Sequence, residues 1–83
     1  MNRLLVYRPA AQRELNRMDR TEAERVVRAL EGFAAAGRGD VKALKGALKG
    51  RYRLRVGKWR VFFRFDPSGT IVVTGVDNRG QAY

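Results

Sequence analysis

Apolar residues occupy every second position from Tyr52 to Val56 and again from Trp59 to Phe65, with arginines in most of the places between. Period-two alternation is the mark of strands with one buried face. The two runs are joined by Gly57-Lys58, a two-residue loop whose leading glycine suits the positive φ of a type II′ hairpin. Val56 and Trp59 then flank the turn, Leu54 faces Val61 and Tyr52 faces Phe63 on an apolar side, so Tyr52, Trp59, Phe63 and Phe65 are expected in the core. The other side pairs Arg55 with Arg60 and Arg51 with Arg64, and sets Arg53 opposite Phe62.

The rest of the chain supplies elements around this hairpin. Asn2 to Arg8 holds Leu4, Leu5, Val6 and Tyr7 and stops at Pro9, the pattern of an opening strand. Pro9 suits the first position of a short helix with Ala11, Leu15 and Met18 on one side. A second helix is capped by Asp19 or by the Thr21-x-x-Glu24 capping box. Its apolar stripe runs through Ala23, Val26, Val27, Leu30, Phe33 and Ala34, and Gly37 closes it. Gly39 to Gly50 reads as a basic loop docked by Leu44, since glycines interrupt it. Asp66-Pro67-Ser68-Gly69 is a turn, and Ile71, Val72 and Val73 in succession suit a strand covered on both sides. A simple register places Gly75 across from Arg60 and leaves Asp77 to Tyr83 beyond the last strand. The order is β-α-α-β-β-β: one α+β domain over residues 1–83, a two-layer sandwich of an antiparallel sheet with two helices packed on one face.

Charge adds a second layer to this picture. The formal net charge is +10, and the basicity belongs to the second half, where Asp66 and Asp77 are the only acids after Asp40. Like charges opposite one another on a sheet are destabilising, so a strand face that accumulates arginines points to a polyanion, nucleic acid before an anionic membrane. The competing explanations are solubility through net charge, charged edge strands that block aggregation and, for Arg60, an ion pair with Asp77. The arginines of the helices, Arg13, Arg17, Arg25 and Arg28, alternate with glutamates and read as a solvated face. With no cysteine and no histidine, a thiolate zinc site is excluded and no cofactor is expected. No apolar run approaches a signal or membrane segment, so a cytoplasmic location is expected.

Four motifs in order, Leu44-Lys45-Gly46, Tyr52 to Gly57, Trp59 to Phe63 and Asn78-Arg79-Gly80-Gln81-Ala82-Tyr83, resemble those of the RelE/ParE superfamily of bacterial type II toxins. The resemblance implies a β-α-α-β-β-β fold and neutralisation by a cognate acidic antitoxin in a hetero-oligomer. In the RelE branch it implies metal-independent cleavage of mRNA on the ribosome; in the ParE branch, inhibition of DNA gyrase. Carried over by motif, it implies that Arg53 and Arg55 orient phosphates, that Arg60 contacts the scissile phosphate, and that Arg79 and Tyr83 complete the catalytic set.

The chemistry agrees with those residue types. Cleavage of RNA by its own 2′-OH needs a base, charge stabilisation on the phosphorane and protonation of the leaving 5′-oxygen. Arg60 and Arg79 suit the second task, because guanidinium is always charged and bidentate toward phosphate. Tyr83 is the one tail residue able to carry a proton, and as a base it needs arginines nearby to favour the phenolate; stacking on a displaced base is its alternative role. Lys45, Lys49, Arg51, Phe62 and Arg64 are the candidates for RNA contact, with Phe62 open to either base stacking or packing against the tail. A non-catalytic basic module is the remaining alternative.

Overall fold

The computed structural model describes residues 2–78. Strand β1 (Leu5–Tyr7) leads into helices α1 (Pro9–Arg17) and α2 (Arg20–Ala36). Strand β2 (Asp40–Ala43), a single 3₁₀ turn (Gly46–Leu48), β3 (Arg51–Val56), β4 (Trp59–Phe65) and β5 (Ile71–Asn78) follow. The sheet order is β1-β5-β4-β3-β2. Both helices pack on one face of it, the α+β sandwich that the alternation predicts.

The central hairpin has the expected register: Leu54 faces Val61, Tyr52 faces Phe63, Arg55 faces Arg60, Arg51 faces Arg64 and Arg53 faces Phe62. Gly57 takes φ +58° while no non-glycine residue among those described has positive φ, which fits a turn that needs the left-handed region at its first position only.

Three details of topology differ from the sequence reading. The segment expected to be a basic loop contains β2, paired antiparallel to β3 with Asp40 opposite Arg55 and Lys42 opposite Arg53. The first strand pairs parallel to β5, because the two helices carry the chain across the sheet before it turns back, so the sheet is mostly rather than wholly antiparallel. Finally, β5 is longer than expected and slipped: Arg60 faces Asp77, Trp59 faces Asn78, and Gly75 faces Phe62 instead of Arg60. One residue of this two-residue shift is present from the start of the pairing, where Phe65 faces Ile71. The other has a local cause: a bulge between the Phe62 and Phe63 pairs adds Thr74 to β5, and the Thr74 hydroxyl donates to the Phe62 carbonyl at 3.1 Å.

The helices begin and end for identifiable reasons. Pro9 opens α1. Asp19 is the residue before α2, and the expected Thr21–Glu24 capping box does not form. Backbone bonding already starts at Asp19, whose carbonyl accepts from the Ala23 amide at 2.9 Å, while Glu24 engages Arg20 at 3.3 Å. Gly37 closes α2 in the left-handed region at φ 72° and donates its amide to the Phe33 carbonyl at 2.8 Å. Ion pairs join Arg17 to Glu14 and Arg25 to Glu22, as a solvated helix face leads one to expect.

The core lies between the layers. Ala11 and Leu15 of α1, and Val26, Leu30 and Ala34 of α2, meet Leu54, Val56, Val61, Phe63, Ile71, Val73 and Val76 of the sheet. Phe63 is fully buried, a contribution of about 2–3 kcal/mol for a side chain of its kind. Phe33, Tyr52 and Phe65 surround it with ring centroids 5.2, 5.5 and 5.7 Å away. Trp59 is held at the hairpin end by Glu22, whose carboxylate accepts from the indole N–H at 2.9 Å. At the other end, Asp66 accepts from the Ser68 hydroxyl and from the amides of Ser68 and Thr70. The Ser68 hydroxyl first, then the Thr70 amide, hold its carboxyl below the usual aspartate range, with Arg64 adding a smaller effect. Among the described residues no helix is long and apolar enough to cross a membrane.

Candidate nucleic-acid interface

Both helices pack on one face of the sheet, and strand alternation sends the basic side chains to the other. Arg51, Arg53 and Arg55 come from β3, Arg60, Phe62 and Arg64 from β4, Asp40 and Lys42 from β2, and Gly75 and Asp77 from β5. Register and twist thus bring six of the residues singled out in the sequence onto one surface. Arg55 and Arg60 oppose each other directly, as do Arg51 and Arg64, an arrangement that raises the local positive potential at a cost to the isolated fold.

Asp40 moderates that potential. Its carboxylate lies 3.5 Å from Nη2 of Arg53 and 3.8 Å from Nε of Arg55. Arg53 is the more enclosed of the two, with 18% of its side chain exposed against 49% for Arg55, and its Nε is buried with no hydrogen-bond partner among the described residues. The role of β3 as a charged edge, one of the competing readings of its arginines, loses its basis, because β2 covers that edge. The other competing reading, an Arg60–Asp77 pair, gains a structural counterpart, since the two face each other across the strands.

Phe62 is half-buried on the polar face. It floors a cavity of about 300 Å³ with Leu44, Leu48, Arg51, Thr74 and Gly75. Lys45 and Lys49 do not join this surface; they line a neighbouring cavity with Ala43, Leu44 and Tyr52, on the side of the sheet to which Tyr52 belongs. Arg79 and Tyr83, central to the catalytic set implied by the resemblance, lie outside the described residues.

Asp40 and Lys42 escaped the sequence reading. The signal was present, because Asp40-Val41-Lys42-Ala43 alternates polar and apolar, but four residues among glycines are too short for periodicity to outweigh the loop composition. Also unanticipated is a larger cavity, about 690 Å³, between α1, α2 and the β1 edge, lined on the helix side by Arg20, Arg28, Glu24 and Glu31 and separate from the arginines of the sheet. Tyr7 lines it, and its hydroxyl is buried with no hydrogen-bond partner among the described residues. Burial first, and Glu31 second, push that phenol above its ordinary range.

The two-layer α+β sandwich matches the fold of RelE-like toxins. The chain resembles the toxin-antitoxin complex RelBE2 of Mycobacterium tuberculosis, with a TM-score of 0.83 and 25% identity over 95% of this chain and 100% of that one. It resembles the archaeal RelE–RelB complex of Pyrococcus horikoshii, with a TM-score of 0.78 and 20% identity over 99% and 100% of the two chains. The intact RelBE complex of E. coli gives a TM-score of 0.71 and 18% identity over 92% and 95%. The chain belongs to the family of ParE toxins of type II toxin-antitoxin systems, parDE, whose model matches residues 5–83, and so to the RelE/ParE superfamily. No curated protein matches it significantly.

Proposed function

We propose that this toxin is a metal-independent mRNA endoribonuclease that acts on ribosome-bound messages in the cytoplasm. The observation that supports this reading is the convergence of Arg51, Arg53, Arg55, Arg60 and Arg64 around Phe62 on the sheet face opposite the helices, a combination of phosphate clamps and a stacking ring suited to single-stranded RNA. In the proposed reaction the 2′-oxygen forms a bond to phosphorus and loses its proton, and the bond from phosphorus to the 5′-oxygen breaks. The products are a 2′,3′-cyclic phosphate and a 5′-hydroxyl, which takes up a proton. Arg53 and Arg55 orient the phosphates, displacing Asp40 as their counter-ion. Arg60 and Arg79 stabilise the phosphorane, and Tyr83 as phenolate takes the 2′-proton. A cognate acidic antitoxin covers the arginine face at rest, as RelB accompanies RelE in the complexes named above.

A second reading follows from the family match to ParE toxins: the same basic face binds DNA gyrase and no RNA is cut. Induced expression in bacteria separates the two. The endoribonuclease arrests growth and leaves new cuts within codons, seen by primer extension. Arg60→Ala lowers cutting by about 10²–10³-fold, the usual loss for one oxyanion-stabilising group, while its circular dichroism spectrum stays native. Growth arrest with intact transcripts and a DNA-damage response supports gyrase inhibition and overturns the endoribonuclease.

A further inference from the structure

Gly75 sits in the middle of β5, where glycine weakens a strand by roughly 0.5–1 kcal/mol relative to alanine. Most glycines in this chain have an evident backbone reason, being in the positive-φ region. Gly75 has none: its φ is not positive, and a Cβ built on it meets no atom within 4 Å among the described residues. A strand glycine that neither its φ nor packing among the described residues requires marks a bulge or a place where something else approaches the backbone. Gly75 adjoins the bulge at Thr74, and it also leaves the space beside its cross-strand partner open to an approaching group. What it faces is Phe62.

The surroundings of that pair define the visitor. Along its own strand Phe62 lies between Arg60 and Arg64, and across the hairpin it faces Arg53. Cationic side chains thus bound the ring on three sides, and, among the described residues, the missing Gly75 side chain leaves the fourth open. Leu44 and Leu48 form the apolar rim, and Leu48 is 47% exposed, which leaves it free to cover a group seated on the ring. The Thr74 hydroxyl, bonded to the Phe62 carbonyl, fixes the bulge that sets the Phe62–Gly75 register. The cavity of about 300 Å³ lies at the small end of the range for ligand sites, about 300–1,000 Å³. A flat, apolar-faced group carrying an adjacent phosphate satisfies all of these features together.

We propose that the Phe62–Gly75 cavity is a nucleobase subsite that seats one unstacked base of the bound RNA on the Phe62 ring, beneath Leu48, with the flanking phosphate on Arg51. This rests on the endoribonuclease reading for its biological use, and it makes Phe62, Gly75 and Leu48 determinants of where the message is cut. The pocket prefers purines, whose larger face gains more from stacking on a single ring.

The test is nuclear magnetic resonance titration of the full chain with each nucleoside 5′-monophosphate, with inorganic phosphate as control. Purine monophosphates are expected to shift the Phe62 ring, the Leu48 methyls and the Gly75 amide, whereas phosphate moves the arginine signals alone. Phe62→Leu weakens the nucleotide by about tenfold, in line with the loss of one base stack. Gly75→Val fills the open side and removes the base-dependent shifts; its thermal transition at or above that of the parent verifies folding. Identical responses to nucleotide and phosphate overturn the subsite, as does undiminished purine binding by Gly75→Val. Overhauser contacts from the Phe62 ring to residues 79–83 with no nucleotide response give the cavity to the chain's own end and likewise overturn it. Failure of the endoribonuclease reading is visible separately as uncut transcripts in induced cells. When transcripts are cut, Gly75→Val redistributes the cut positions, and Arg60→Ala suppresses cutting at all of them.

Discussion

Single residues decide how the hairpin is held and what it presents. Trp59 is half-buried and its indole N–H has Glu22 as acceptor at 2.9 Å, with Arg25 on the other carboxylate oxygen at 3.5 Å. Removing the acceptor leaves a partly enclosed donor without a partner, so Glu22→Ala is expected to lower stability by about 1 kcal/mol, measured as a shift of the urea midpoint with unchanged slope. An unchanged midpoint means that water replaces the carboxylate at no cost. The identity of Trp59 as a core residue was legible from alternation, but its partner was not: Glu22 lies 37 positions away, and only the packing of α2 against the hairpin end brings it there. Gly75 shows the opposite kind of failure. Its presence in the strand was evident, yet its partner was misplaced, because neither the one-residue offset that sets Phe65 opposite Ile71 nor the one-residue bulge at Thr74 leaves a mark in the unbroken apolar run of Ile71, Val72 and Val73.

At the scale of elements, β2 changes the meaning of β3. With β2 in place β3 is an interior strand, and its arginines acquire a built-in carboxylate, Asp40, at ion-pair distance. Exposed pairs of this kind contribute little to stability, about 0–1 kcal/mol, but a polyanion has to displace the carboxylate to reach both guanidinium groups. Asp40→Asn is therefore expected to tighten binding of a short single-stranded RNA by up to about fivefold, read by fluorescence anisotropy, with a small decrease in melting temperature. Weaker binding in place of tighter binding identifies Asp40 as the group that orients the two arginines. The long elements were readable because they carry several repeats of their period. The four residues of β2 carry two, and their pairing is fixed by the neighbouring strand.

The molecule as a whole separates apolar and basic work onto the two faces of one sheet. Helices bury one face and stabilise the fold, while the other collects arginines that oppose one another across the strands. Each phosphate neutralised on a single strand lowers the logarithm of the binding constant by about 0.7 per logarithmic unit of salt. Four of the five arginines engaged at once give a slope of about −3 for a short RNA, measurable by anisotropy across a salt series. A slope near zero removes the electrostatic basis of the interface. The large cavity beside Tyr7 lies on the helix side, so it stands apart from this charge and from its salt dependence.

The sequence by itself determined the two faces. Period-two alternation, the Gly57-Lys58 turn and the helical stripes follow from residues close in the chain, and from them came the hairpin register, the helix limits and the grouping of Arg51, Arg53, Arg55, Arg60 and Arg64. Tertiary structure decided the rest: the parallel pairing of β1 with β5, the addition of β2 with Asp40, and the slip that seats Gly75 beside Phe62. Those are contacts between distant segments, chosen by how the sheet twists and how the core fills, and neither is written in the local period of any one stretch.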